Sequence, residues 1–421
     1  MRRRKAKTIF CEFDFLQKFL GDQPKAIAPD VGSIRQMECW LSLYKFICKS
    51  NLILNVSKEE FFRNIEIANP SGELKDSSLF LLWKHSFVEF RSEGFPSFNK
   101  LEIQNNDYEI LNSVFLTTCE DDAFCKQVSE QYGIIVVNVN SWKSNFHLYN
   151  DNGYAIRKGD TNVKGWNFLQ GPQKQLNICN SLIIIDGYLF DDNKKCNTTT
   201  MSWQKKLDWN LKPILSQLLP KDLSNNLDLE VIIITGLMDD VSYQDQCERV
   251  QAIINELCAE TNCSINVKVS IFLNVVCSKN KNGEDTRRAV FHDRCIISNN
   301  IWIGSGFGFG IFAKKEDSDE KSFPIQNTTV NVMFPFFQSH AQWVDAAYMQ
   351  ILNNVNDIIS TNTVKGKNYW GNDYSGTCRM VTHYFGNDKK QEVETPKPQA
   401  PQIFGKIDLE TGNWIDSNRM N

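Results

Sequence analysis

Short apolar runs of strand length alternate along this chain with longer stretches whose apolar residues recur every three to four positions. That alternation predicts an α/β protein. It opens with TIFCEFDFL, a strand-like run interrupted by Glu12 and Asp14, and continues with helical spacing over MECWLSLYKFICKS and SKEEFFRNIEIA. Further on, SVFLTTCEDDAFCKQVSEQYGIIVVNVN predicts a strand, an acidic turn, an amphipathic helix and, after Gly133, a second strand. This is a β-α-β unit with carboxylates at the carboxyl end of its first strand, the edge where open α/β sheets place their ligands.

The stretch 147–174 is polar, contains glycine and has little periodicity, so it reads as a connection between domains. Beyond it, NSLIIIDGYLF, WQKKLDWNLKPILSQLL, LEVIIITG, YQDQCERVQAIINELCAE and INVKVSIFLNV predict strand, helix, strand, helix, strand, hence a mainly parallel sheet covered on both faces. RAVFHDRCIIS and NIWIGSGFG, separated by the turn residues Asn299 and Asn300, predict a hairpin. TVNVMFPFF adds a strand and AQWVDAAYMQILNNVNDIIS a closing helix, after which a segment rich in Pro, Lys and Gln predicts an extended tail. The expected organisation is two α/β domains, each a mainly parallel sheet flanked by helices, over 1–146 and 175–385, joined by 147–174 and followed by a tail over 386–421.

Composition narrows the function classes. The 421 residues are 42% apolar and 23% charged, with 28 Phe and 10 Trp, which is the make-up of folded domains and not of a disordered chain. A net charge of −4 gives no global basic field, so contact with nucleic acid would rely on a local patch. The opening MRRRKAK is either such a patch or a solvated, frayed end. No apolar run approaches the ~18 residues of a membrane span, and the basic start leads into acidic residues instead of a signal-peptide core, so a cytoplasmic location without membrane contact is expected. Thirteen cysteines without a CxxC pair are expected to be reduced, mostly buried thiols, and zinc lacks a second ligand pair.

One stretch carries most of the candidate chemistry: FHDRCIISNNIWIGSGFGFG, residues 291–310. Strand alternation places His292 and Arg294 on one face, and the returning strand brings Gly304 and Ser305 alongside. A nucleophilic imidazole, a fixed cation, a small hydroxyl and glycine backbone around one anion make a phosphoryl-transfer site. The same residues also describe a core-facing histidine beside a hairpin of glycines. The GSGFGFG run is neither a Walker loop nor a dinucleotide fingerprint, because it lacks the Lys-Ser/Thr end and no helix follows directly.

HDRCIISNNIWIGSG resembles the phospholipase D-like signature, in which His-x-Lys is followed by a polar or acidic residue and then a Gly-Ser-x-Asn stretch. The resemblance covers roughly 175–385. It implies a phosphodiesterase in which His292 is the nucleophile, Arg294 stands in the lysine position, Asn299 lies near the acidic position, Ser305 takes the Gly-Ser position, and Gly304 and Gly306 bind phosphate, with no cofactor. The chain departs from the pattern in four ways: arginine for lysine, asparagine for a carboxylate, a shorter spacing to Gly304, and Phe307 in place of asparagine. Only one copy of the half-motif is present, since neither His85, His147, His340 nor His383 has a lysine or arginine two residues on. The family's site needs two copies, so activity implies a homodimer.

The region 1–146 is similar to PIN-type nuclease domains, through an acidic residue after the first strand (Glu12 or Asp14), carboxylates on an intervening helix (Glu59, Glu60) and the turn Glu120, Asp121, Asp122. That similarity implies Mg²⁺ or Mn²⁺ held by Asp14, Asp121 and Asp122, because hard cations require clustered oxygen ligands. Helix capping accounts for the same acidic turn. Together the resemblances imply a nuclease acting on nucleic acid, of the kind found in bacterial defence or toxin-type effectors. The alternatives are a catalytically inactive phospholipase D-like module that dimerises or binds a protein partner in a larger complex, and lipid phosphodiester hydrolysis, which the lack of an amphipathic basic helix disfavours.

Overall fold

Strands apolar on both faces need helices above and below them, and the buried inner strands of the first sheet are of this kind. In the computed structural model, residues 8–334 are described except for 25–30, 69–76, 102–109, 111–112, 133, 146–151, 171–180, 192–200, 219–228, 236–242, 262–266, 274, 280–284, 290–293, 299–300 and 315–321; beyond 334, Ile351, Thr382–Phe385, Lys406–Ile407 and Trp414–Ile415 are described. These residues gather into two compact units, one drawn chiefly from Met1–Asn150 and the other from Asp151–Pro335. The protein is α/β, and no described helix is long and apolar enough to cross a membrane.

Unit one contains β1 (Thr8–Cys11), β2 (Asn51–Leu54), β3 (Phe87–Phe90), β4 (Ser113–Thr117) and β5 (Ile135–Asn138) in the order β3-β2-β1-β4-β5, every pair parallel. The triplets Ile9-Phe10-Cys11, Leu52-Ile53-Leu54 and Val114-Phe115-Leu116 are buried, whereas the edge strand β3 alternates between exposed and half-buried positions. Phe10 stacks on Phe115 at 5.2 Å between ring centroids, adding a specific contact to the buried area of both strands.

The opening run does not continue as a strand past Cys11. A helix, Phe13–Gly21, starts there instead. Phe13, Leu16 and Leu20, together with Phe15 and Phe19, give a buried stripe at helical spacing, and the Asn55 side chain accepts a hydrogen bond from the Phe13 N–H at 2.7 Å. The helix Val31–Lys49 packs Trp40 against Phe19, and the Trp40 indole N–H donates to the Phe19 carbonyl at 3.0 Å.

Unit two is built on an eight-stranded sheet. Its strands are β6 (Asn152–Ile156), β7 (Ser181–Ile185), β8 (Leu229–Thr235), β9 (Val267–Leu273), β12 (Cys295–Ser298), β13 (Trp302–Ser305), β16 (Thr328–Met333) and β17 (Thr382–Phe385), in the order β17-β9-β8-β7-β12-β13-β16-β6. Two-stranded ribbons lie apart from it: β10 (Val275–Lys279) with β11 (Asp285–Ala289), and β14 (Phe312–Ala313) with β15 (Phe323–Pro324). Only β7, β8 and β9 run parallel, so this sheet is mixed and not mainly parallel as expected. Strands joined by helical crossovers can be parallel, but the short β12–β13 connection permits only an antiparallel pair.

Two further expectations give way. The polar stretch 147–174 is not merely a connection: it supplies edge strand β6, paired antiparallel with β16, and then the fully buried Trp166. RAVFHDRCIIS is not one continuous strand, because Asp285–Ala289 pairs in its own ribbon and β12 begins only at Cys295. His292, Asn299 and most of the predicted closing helix lie outside the described residues.

Trp166 shows why 147–174 belongs to the core. Its indole N–H donates to the side-chain oxygen of buried Asn210 at 3.1 Å, while the Asn210 amide also bridges the N–H and carbonyl of Phe312 at 2.9 and 3.0 Å. Asn210 sits in a π-turn, Leu207–Leu211, between the helical segments Trp203–Lys206 and Lys212–Leu218, and its amide is satisfied on both ends. Replacing Trp166 by Ala should therefore lower stability by about 3–5 kcal/mol, read as a shift of the urea midpoint. A midpoint within error of wild type would mean that the segment packs elsewhere.

Candidate functional site

The carboxyl edge of the unit-one sheet has its switch point between β1 and β4, because the chain turns to opposite sides from β1. Glu12 stands there. Its carboxylate accepts hydrogen bonds from the Thr117 hydroxyl at 3.1 Å and from the Thr118 N–H and hydroxyl, both at 2.6 Å, while its own N–H donates to the Leu116 carbonyl. The residue therefore fastens two strand ends together.

Asp121 accepts from the N–H groups of Ala123 and Phe124, each at 3.0 Å, which is the capping role weighed from the sequence. Asp122 accepts from the Asn138 amide at 2.5 Å, and Asp14 lies exposed in the first turn of Phe13–Gly21. Glu59 and Glu60 are exposed in the first turn of Lys58–Ala68. Among the described residues no three His, Cys, Asp or Glu side chains gather as a ligand group. As placed, Asp14, Asp121 and Asp122 do not supply the convergent hard oxygens that Mg²⁺ or Mn²⁺ requires.

Behind this edge Cys125 is buried, and burial, followed by the neighbouring Cys119, pushes its thiol up to about 12; the Asn138 amide, 3.7 Å from the sulfur, pulls the other way. Cys11 is also held well above the ordinary thiol value, again chiefly by burial. Among the described residues, Cys11, Cys39, Cys48, Cys119, Cys125 and Cys295 are in no disulfide.

The second edge lies in unit two, where Asp186 follows β7. This carboxylate is buried, at 2% exposure. One oxygen accepts from the Tyr188 N–H at 3.0 Å and the other from the Phe309 N–H at 2.9 Å, linking residues that are far apart in the chain. Gly308, at φ +85°, fits between: a Cβ there would lie 2.7 Å from the Asp186 oxygen and 3.3 Å from the Arg294 Cδ.

The hairpin brings Arg294 and Ser305 together as expected, with Cys295 opposite Gly304 and the Ser305 N–H donating to the Arg294 carbonyl at 2.9 Å. Arg294 stands just ahead of β12, half-buried. Its guanidinium donates to the Gly306 carbonyl at 3.2 Å and lies over the rings of Tyr188 and Phe307, 5.3 and 5.8 Å from their centroids. Among the described residues no carboxylate pairs with it.

The glycines serve differently from expectation. Ser305 is buried and its hydroxyl donates to the Gly308 carbonyl, while the Gly306 N–H donates to the Thr329 carbonyl at 3.2 Å. These groups shape the 305–308 turn and are already engaged, so they do not present free donors to a phosphate. Gly304 is an ordinary strand position, its nearest neighbour for an added Cβ being the flexible Met333 terminus at 3.8 Å. Lys206, 3% exposed, is a structural cation whose ammonium donates to the carbonyls of Tyr188 and Asp191. Sequence reasoning passed over Tyr188, which follows an apolar strand by only three residues, and treated Phe307 merely as a departure from a motif.

Two tests follow from these edges. Gly308→Ala should destabilise the protein by about 1–3 kcal/mol through its positive φ and the Asp186 clash, while Gly304→Ala should be neutral or slightly stabilising; urea titrations of both variants would show it. A raised folded pKa keeps a thiol neutral in the folded chain after its unfolded counterpart, near 9.0, has ionised. Stability from Cys125 is thus complete below about pH 9 and lost as pH rises toward about 12, with a slope of at most ~1.4 kcal/mol per pH unit per thiol. Cys125→Ala should flatten the decline in urea midpoint between about pH 9 and about pH 11.

No family model matches this chain, and no curated protein matches it. Among solved structures, the C-terminal lobe of a budding yeast Argonaute aligns at a TM-score of 0.14 and 10% identity over 85% of this chain and 74% of that one, a level that establishes no shared fold.

Proposed function

We propose that this protein is a nucleic-acid phosphodiesterase whose chemistry lies at the unit-two edge and whose active form is a homodimer. The supporting observation is Arg294: a half-buried guanidinium fixed by a backbone carbonyl and two rings at the carboxyl edge of the sheet, without a carboxylate partner among the described residues. A positioned cation of this kind stabilises charge that develops on a phosphoryl group. His292 lies two residues before it in the sequence.

In this reading the His292 imidazole attacks phosphorus, forming an N–P bond as the ester P–O bond breaks. The leaving oxygen takes a proton from an acid of the second subunit. Water then cleaves the N–P bond, and the imidazole is released. Arg294 balances the added negative charge, and Ser305 acts as a positioning residue through the turn it holds. The chain carries a single copy of the half-motif, which is why the acid is assigned to the second subunit.

A second reading has its own support. The N–H groups of Ser305 and Gly306 are engaged in the sheet, as suits a phospholipase D-like module that has given up catalysis and serves dimerisation or a protein partner.

Cleavage assays decide between them. Purified full-length chain should cleave DNA or RNA in the presence of EDTA, His292→Ala should abolish this, Arg294→Ala should slow it by roughly 10²–10³-fold, and Asp121→Ala/Asp122→Ala should leave it unchanged. Acid quenching during turnover should trap an acid-labile phosphoryl enzyme. EDTA-sensitive cleavage indifferent to His292→Ala would refute the assignment, and dimers inert on every substrate would favour the module.

A further inference from the structure

We infer that Tyr188, Arg294 and Phe307 form a base-stacking clamp that selects single-stranded nucleic acid; this names the substrate form and rests on reading the same edge as a nucleic-acid phosphodiesterase. Tyr188 and Phe307 expose 47% and 54% of their surface, whereas Tyr154, Phe168 and Trp209 of this unit are half-buried and Trp166, Phe190 and Phe309 are buried. An isolated exposed ring needs no explanation, but two exposed rings sharing one arginine form a defined arrangement. The guanidinium carbon lies 5.3 Å from one centroid and 5.8 Å from the other.

The backbones beneath these rings are firmly held. Tyr188 donates its N–H to buried Asp186 and receives the buried Lys206 ammonium on its carbonyl. Phe307 sits in a turn fixed by the Ser305 hydroxyl on the Gly308 carbonyl, the Gly306 N–H on Thr329 and the Arg294 guanidinium on the Gly306 carbonyl. Exposed rings on a rigid backbone lose little entropy on binding, which favours a planar ligand.

The chemistry of that ligand follows from the three side chains. Each ring offers a π-face, the guanidinium offers a plane and a positive charge, and Phe307 offers no hydrogen bond. This combination suits successive bases and their phosphates without reading base identity. A duplex hides its base faces, so the clamp requires unpaired nucleotides. Aromatic residues with arginine also mark protein interfaces, and that rival enters the test below.

Binding is separable from cleavage. Fluorescence anisotropy of the full-length chain in EDTA, with His292→Ala as background, would compare labelled oligo-deoxythymidine with a duplex of equal length. We expect preference for the single strand, and roughly tenfold or greater loss in Tyr188→Leu/Phe307→Leu, which keeps bulk and removes the π-faces. Thermal melting of that variant should match its parent, since both rings are half exposed. Tyr188→Phe should retain binding. If single-strand binding depends on the rings but the otherwise unaltered chain cleaves nothing, the clamp stands and the proposed chemistry fails. If cleavage depends on His292 but affinity is indifferent to the rings, the chemistry stands and the clamp fails. Equal affinity for duplex and single strand overturns the clamp, as does a ring variant that changes only the oligomeric mass, which would assign the surface to a protein contact.

Discussion

The arrangement of the second unit depends on one buried carboxylate. Asp186 follows the central strand β7 with both oxygens turned to backbone N–H groups, one nearby at Tyr188 and one far along the chain at Phe309. A buried carboxylate is costly unless its oxygens are satisfied, so the 305–309 turn must close over it. Gly308 is the residue that lets the turn come so near, and Arg294 lies against that same glycine. The position of the cation, and of the two rings around it, therefore follows from a hydrogen-bonding requirement a layer below the surface.

The two units solve the same packing problem with different topology. In the first, every strand is followed by a crossover, all pairs are parallel, and the switch point between β1 and β4 is tied shut by Glu12 on Thr117 and Thr118. In the second, three parallel strands are extended by antiparallel ones, so the edge near β7 meets a hairpin turn instead of a helix start. The carboxylates of the first edge are engaged in strand and helix ends. The cation of the second is left half-buried beside two exposed rings.

What the sequence disclosed follows from periodicity. The runs LIII in β7 and VIII in β8 and the helix Tyr243–Thr261 were legible because burial on both faces, or on one stripe, leaves a continuous signal. The β12–β13 hairpin was legible from its apolar flanks, and with it the pairing of Arg294 with Ser305. Strand β6 was not, since NGYAI is short, opens on Asn-Gly, and takes its place from β16, far along the chain. The helix at Phe13 was hidden by five apolar residues that fit either period until Asn55 capped its first turn. At the site, Arg294 was visible as a motif position, but its aromatic flanks were not: Tyr188 is more than a hundred residues from it, and nothing local predicts that the end of β7 meets the β13 turn.

The pairing of β6 with β16 also orders events in time. Ile156 meets Thr328, a separation of about 170 residues, so during synthesis at roughly 5–20 residues per second the first strand of this unit waits on the order of 10–30 s for its neighbour. Throughout that interval Asn152–Ile156 lacks the strand it pairs with, and its sheet position is set only when β16 emerges. Until Thr328–Met333 has been made, this edge of the eight-stranded sheet cannot close.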